Sequence, residues 1–390
     1  MSDPHLSYDL MLKGGTLVDP AAGLHARRDV AFRDGRVAAV GDNLTGGAQI
    51  IDCSGKIVAP GMIDLHVHIF WGVSYLGIPA DPHCIERGVT TAVDAGSAGA
   101  DTFPGLRRYV IEASATRLYA MLNIAAQGML HADIGEFDDL RYSSVPRALA
   151  MIEQHRDLIL GVKVRLTRDT IVSAASGLRP LALAREAADA AGLPIMVHPQ
   201  EAWCDSIDDI LALMRGGDIM THCFHGSNHG IMDEQGRVRR SVLEAMERGV
   251  IFDVGHGAGS FSWSIAEQAL AQGVAPQTIS SDLHSYNVNG PVFDLATTAS
   301  KFLQLGMSLD GVLSRVTAAP ARAIGMADRL GTLQVGAAGD AVVFDLEEGA
   351  FPLWDSHGEL RTAERRLEPH LVVRAGRIYT PGMSGFPHAH

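Results

Sequence analysis

Gly61-Met62-Ile63-Asp64-Leu65-His66-Val67-His68 decides how this chain is read. A turn feeds an apolar run of strand length, and because side chains alternate faces along a strand, His66 and His68 point the same way. Two imidazoles on one face of a strand end can reach one metal ion. A lone His-x-His pair is as often two unrelated histidines; the pair's place at the end of an apolar strand makes it a candidate.

Working outward, short Val/Ile/Leu/Ala-rich runs alternate with longer amphipathic stretches, the pattern of repeated strand-helix units around a parallel sheet. Strands are expected at 62–68, 90–94, 118–123, 160–165, 195–198, 219–222, 250–254 and 278–281. Helices are expected between them, for example at 104–115, 145–156, 180–191 and 238–248, the third ended by Gly192 and Pro194. Eight strands in about 250 residues match an α/β fold, the (β/α)8 TIM barrel, whose active site lies at the C-terminal ends of its strands. Residues 8–60 read differently, as short strands punctuated by Gly14-Gly15 and Asp34-Gly35, and the same texture returns near the end of the chain. Segments 8–60 and 329–380 are therefore expected to form one small β-sandwich around a barrel at 61–328, with a disordered Gly/Pro/His tail at 381–390.

Composition sets the outer bounds. With 390 residues, 47% hydrophobic and 20% charged, the chain has ample material for a core and is not a disordered polymer. The 45 acidic and 32 basic residues leave a net charge of −13 without any basic stripe, which excludes nucleic acid as an expected partner. No apolar run reaches the roughly 18 to 20 residues of a membrane span. Asp3, His5 and Asp9 stand where a secretory signal would be basic and then apolar, so a cytoplasmic protein is expected. The four cysteines, Cys53, Cys84, Cys204 and Cys223, lie too far apart for a disulfide framework or zinc knuckle.

Other expected strands end in groups that suit the same site: Lys163 in Gly161-Val162-Lys163-Val164-Arg165, His198 after Pro194 to Val197, His222 after Ile219 to Thr221, and Asp282 after Ile279 to Ser281. Separately, each has an ordinary explanation: a solvated lysine, a hydrogen-bonded histidine, an aspartate capping a helix. With His66 and His68 they make six such groups at one barrel mouth.

These stretches, with Lys13-Gly14-Gly15-Thr16-Leu17-Val18-Asp19-Pro20 and Thr317-Ala318-Ala319-Pro320-Ala321, resemble the binuclear-metal branch of the amidohydrolase superfamily, over nearly the whole length. The family includes dihydroorotases, hydantoinases and dihydroorotase-like deacetylases. The resemblance implies that His66, His68 and Asp282 hold a buried metal and His198 and His222 a more exposed one. Lys163, carboxylated by CO2 to N6-carboxylysine, bridges the two. Zinc is the default ion, since imidazole and carboxylate suit it. A hydroxide held between the metals is then expected to attack a carbonyl, with Asp282 as the catalytic acid/base.

Around these, Arg165 shares a strand face with Lys163 and is a candidate for binding a substrate carboxylate. His225, Asn228 and His229 after His222, and His284 and Tyr286 after Asp282, are further substrate-binding candidates. Phe252 and Phe261 read as packing. The dihydroorotase pattern has an arginine two residues past the His-x-His pair; here that position is Phe70, which argues against dihydroorotase itself. The expected activity is hydrolysis of a small carboxylate-bearing acyl amide or ester, by a deacetylase or deacylase. Alternatives are a cyclic amidohydrolase, a metal-free scaffold, and a mononuclear purine or pyrimidine deaminase using the His198-Pro199-Gln200-Glu201 spacing. A small-molecule substrate and a homo-oligomer complete the expectations.

Overall fold

In the computed structural model, Ile63, Leu65, Val93, Ala95, Tyr119, Met121, Met196 and Ile219 pack together along the axis of a curled parallel sheet. Residues 7–382 and 386 are described. The chain enters through seven strands, β1 (Tyr8–Lys13), β2 (Thr16–Asp19), β3 (Leu24–Arg27), β4 (Asp29–Arg33), β5 (Arg36–Gly41), β6 (Gly47–Asp52) and β7 (Ile57–Pro60). The curled sheet follows: β8 (Met62–Val67), β9 (Val89–Gly99), β10 (Arg117–Asn123), β11 (Ile159–Arg165), β12 (Ile195–His198), β13 (Ile219–Met220) and β14 (Ile251–Phe252). Each pairs in parallel with its sequence neighbour. The chain leaves through β15 (Ala341–Trp354), β16 (Leu360–Arg374) and β17 (Arg377–Tyr379).

The eighth expected strand does not form a regular ladder. Residues 278–283 close the barrel through two parallel bridges, Asp253 to Thr278 and Val67 to Leu283. The hydroxyls of Thr278 and Ser280 are bonded to Asp253 at 2.7 and 2.6 Å, and Asp282 has φ 49°. A left-handed residue and inward hydroxyls turn the segment out of strand geometry as it reaches the mouth.

Helices stand at Phe103–Tyr109, Val145–Gln154, Arg179–Ala191 and Arg240–Glu247, where the amphipathic stretches predict them, except that the first ends at Tyr109 and continues only as a 3-10 turn at Ile111–Ala113. Ser144 caps the second by accepting from the Arg147 amide, and Gly192 at φ 67° ends the third. Their apolar faces cover the outside of the barrel, where Ala184, Ala187 and Ala188 meet Val162 and Ile195 in one core.

At the two ends of the chain, one sheet runs β5-β4-β1-β6 and another β17-β16-β15-β7-β2-β3. Leu10, Leu12, Val30 and Phe32 from the start of the chain share a buried cluster with Val343 and Val373 from its end. Of segment 381–390, residues 383–385 and 387–390 lie outside the described residues; Phe386 is buried against Phe293, with ring centroids 5.2 Å apart. Among the described residues no helix is long and apolar enough to cross a membrane.

Candidate metal centre

Simple alternation would fail at the first strand. Ile63 and Leu65 already face the barrel interior, so His66 would point outward in an unbroken β8. The register of β8 on β9 shifts between Asp64 and Val67. Such an irregularity re-aims side chains, and His66 here stands inside the mouth, its ring centroid 5.3 Å from that of His68 and 5.0 Å from that of His222. Lys163 comes in from β11 and His198 from the end of β12, whose ring lies 4.3 Å from His222. His222 and Asp282 both follow strand ends with positive φ, 63° and 49°. That backbone is costly for non-glycine residues and is typical of positions fixed by a site.

Two glycines make room for the ring. A Cβ on Gly96 (φ +86°) would lie 2.6 Å from Lys163 Cβ, and one on Gly257 (φ +57°) would lie 2.4 Å from Asp282 Oδ2. Neither was legible as a site residue in sequence.

The hydrogen bonds fix which nitrogen of each imidazole faces the centre. Thr221 gives its only hydroxyl proton to Asp253 (2.9 Å), so it accepts from His66 Nδ1 (2.9 Å) and leaves the His66 Nε2 lone pair free. His222 Nδ1 lies 2.6 Å from the Gly255 carbonyl, which only accepts; its Nε2 is buried without a partner. His68 Nδ1 is bonded to Ser97 Oγ at 2.9 Å, and His198 uses Nε2 toward Thr167 Oγ1 at 3.2 Å, which leaves Nδ1 as its second ring nitrogen. Asp282 Oδ1 lies 3.2 Å from His66 Nε2 and 3.1 Å from His68 Nε2. An unprotonated nitrogen facing a carboxylate oxygen is an arrangement a cation satisfies. Donor atoms of His66, His222 and Asp282 all lie within 4.8 Å of one another. The donor set therefore fits divalent metal.

Burial tunes the same groups. It holds His66 and His198 well below the ordinary histidine range and brings His222 down to about 3, so these rings are neutral at neutral pH, the form that binds metal. Burial likewise brings Lys163 down to about 7, against the attraction of Asp282. Its Nζ lies 3.5 Å from His66 Nε2.

Above the ring opens a cavity of about 270 Å³, lined by His66, His68, Lys163, His198, His222 and Asp282 below. Arg165, His284 and Tyr286, three of the expected substrate residues, line it too. Arg165 is not a free guanidinium: its Nη1 donates to Glu136 Oε1 at 2.8 Å and to Tyr75 Oη at 3.2 Å. His225 and Asn228 are not part of the lining. His225 is buried behind it, and exposed Asn228 donates its backbone N–H to Glu201 Oε1 at 3.0 Å. His229 also stands outside the lining. Glu201, at φ 51°, pairs with Arg168 at 3.4 Å and is not part of the lining, so the His198-x-x-Glu201 spacing does not place its carboxylate in the cavity. Tyr75, Leu76, Gln200 and Ala258 to Ser260 complete the wall. Sequence reading missed all of them, although Tyr75 and Gln200 follow strand-end histidines in loops where a barrel keeps its substrate contacts.

A barrel carrying these donors at its mouth defines a metal-dependent hydrolase of the amidohydrolase class. The Amidohydrolase family profile matches residues 263–379. Deacetylase Atu3266 of Agrobacterium fabrum is 38% identical over 344 residues, spanning 87% of this chain and 83% of the relative. A solved dihydroorotase structure matches with TM-score 0.88 and 35% identity, covering 97% of this chain and 99% of that one. A solved adenine deaminase structure matches with TM-score 0.89 and 32% identity, covering 96% and 100%. The chain belongs to the amidohydrolase family, enzymes that depend on divalent metal and hydrolyse carbon–nitrogen bonds.

Proposed function

We propose that this amidohydrolase is a deacylase, removing a short acyl group, acetyl above all, from a small amide or ester that carries a carboxylate. The observation that carries the reading is the placement of Arg165 on the rim of a cavity of about 270 Å³ directly above the donor ring. A cavity of that size suits a short acyl group, and a guanidinium beside it suits an acid. The Agrobacterium relative, named a deacetylase, supports the same choice.

In this reading His66, His68 and Asp282 would hold one zinc ion and His198 and His222 a second, with carboxylated Lys163 supplying further oxygen ligands. The neutral Lys163 amine adds to the carbon of CO2 and loses a proton, becoming an anionic two-oxygen ligand. When bound, the divalent ions acidify water and polarise the substrate carbonyl. Asp282 takes the proton of the attacking water and returns it to the departing nitrogen or oxygen. The acyl carbon gains the water oxygen, and the carbon–nitrogen or carbon–oxygen bond breaks. Arg165, steadied by Glu136, holds the substrate carboxylate with its remaining N–H groups. His284, brought down to about 4 by burial, is a neutral hydrogen-bonding wall.

The test is a screen of zinc-reconstituted protein against N-acyl amino acids, O-acyl hydroxy acids, cyclic ureides and adenine. Release of acetate or another short acid from the first two classes is expected. Turnover confined to ring opening of ureides, or to ammonia release from adenine, overturns the reading.

A further inference from the structure

Part of the wall is the glycine-rich segment 255–260, and the hydrogen bonds of its own amides stop at Gly257. Gly255 and Gly257 have φ 46° and 57°. The His256 and Gly257 amides reach the Ser280 and Ser281 carbonyls at 3.2 and 3.0 Å, but no such bond holds 258–260. What covers this segment comes from the other end of the molecule. β15 begins in the sheet with β7, and the β15–β16 hairpin, with strands of 14 and 15 residues, runs out across the barrel.

We infer that Ser356, at the tip of this hairpin, is a positioning residue that fixes the pocket wall at Ala258 to Ser260 and thereby sets substrate affinity; its kinetic readout rests on the deacylase reading of the cavity. The Ser356 hydroxyl lies 3.1 Å from the His256 carbonyl and 2.9 Å from that of Gly257, and accepts from the Phe261 amide at 3.2 Å. Its own amide donates to the Phe261 carbonyl at 3.0 Å. One residue thus grips the segment on both sides of the wall. Asp355 shapes the tip, taking the His357 and Glu359 amides at 2.8 and 2.9 Å, and holds the Trp263 amide at 3.3 Å.

The gripped segment is in turn part of the site. Ser260 Oγ donates to Gln200 Oε1 at 2.7 Å, and Gln200 Nε2 donates to the Gly259 carbonyl at 3.1 Å. Ser260, Gly259 and Gln200 all face the cavity, while Gly257 lies against Asp282. The chain of contacts runs from hairpin tip to wall to pocket. A glycine-rich stretch released at one end samples many backbone states, so loss of the Ser356 hydroxyl loosens the wall without touching the donors.

The test uses the full-length, metal-loaded protein with Ser356→Ala and Ser356→Thr. Hydrogen exchange of peptides spanning 255–263 and steady-state kinetics on the best acyl acid are measured together. In Ser356→Ala, exchange of the two bonded amides that flank the wall, Gly257 and Phe261, is expected to rise about tenfold with the β8 to β13 peptides unchanged. KM is expected to rise about fivefold, the worth of one ordinary hydrogen bond, with kcat within about twofold. Ser356→Thr restores both. Unchanged exchange at Gly257, whose amide bond to Ser281 the substitution does not itself delete, overturns the inference, as does a local rise with no change in KM, or faster exchange throughout the barrel, which marks mere gluing of the two ends. If Ser356→Ala does not fold, Ser356→Cys, which keeps the volume, is judged by the same criteria. Should wild-type protein hydrolyse no acyl acid, the deacylase reading fails by itself, and local exchange alone upholds or overturns the clamp.

Discussion

The floor of the cavity and the wall facing it are held in different ways. In the floor, His66, His68 and His222 each spend one ring nitrogen on a neighbouring segment, at Thr221, Ser97 and the Gly255 carbonyl, and present the other to the centre. The buried carboxylates Asp94 and Asp253 hold Ser97 and Thr221 in turn, and buried Asp64 holds the Ser281 amide next to Asp282. The wall is made of loops: Tyr75, Gln200, Ala258 to Ser260 and Tyr286 are joined by a few hydrogen bonds, and Tyr286 is 62% exposed. A braced floor and a lightly held wall divide the labour, with the chemistry set by the first and the choice of substrate by the second.

That division is broken most directly at Lys163. If the floor works as a unit, Lys163→Ala lowers kcat/KM by about a thousandfold or more, and metal per chain falls with it. A short carboxylic acid that fits the vacated space restores part of the rate. Full activity in Lys163→Ala, measured beside its metal content, would show that the floor does not depend on its central residue.

A smaller effect is expected one layer down. Asp253 accepts from Thr221, Thr278 and Ser280, and through Thr221 fixes the His66 tautomer. Asp253→Asn leaves every ligand in place but weakens that bracing, so metal affinity in a chelator competition should fall about 10- to 100-fold. Unaltered affinity would mean that the strands alone orient His66.

Where floor meets wall, Arg165→Met is expected to raise KM for acidic substrates about tenfold while neutral analogues change little, because one charge-assisted contact is lost and the donors stay. Equal effects on both substrate classes would assign Arg165 to holding Glu136 in the fold instead.

The same contrast explains what was legible beforehand. Floor residues were found because a strand imposes a rule: Lys163 and Arg165 share a face, and a strand-end histidine in a barrel points at the mouth. The rule stops with the strand. His222 leaves β13 at φ 63° and Glu201 turns at φ 51°, so spacing past those points no longer tells direction. His225 and Asn228 therefore fall outside the lining, and Gln200, beside the conspicuous Glu201, is the residue that faces the cavity. The register shift in β8 and the space left by Gly96 and Gly257 depend on neighbours distant in sequence. The parallel barrel and the sheets at the two ends, by contrast, were readable because periodicity is local.

The smallest effect is expected behind the wall, where Lys301 donates to the Pro291 carbonyl at 2.9 Å and lies 2.6 Å from His256 Nε2. Burial brings the Lys301 amine down to about 7 from its ordinary 10.5. A lysine whose folded value lies below its unfolded one binds more protons when unfolded, so between those two values stability rises with pH. From pH 7 to pH 8 the gain from this group is about 1 kcal/mol, which in a chain of this size moves the melting temperature by about 1 to 2 °C. Lys301→Met removes the titration, so the difference in melting temperature between variant and wild type should change by that amount across this step. Asp64, which burial raises to about 7, titrates equally in both proteins and cancels in the difference. A difference that stays constant with pH would place the Lys301 proton outside this range and leave the back of the wall insensitive to pH.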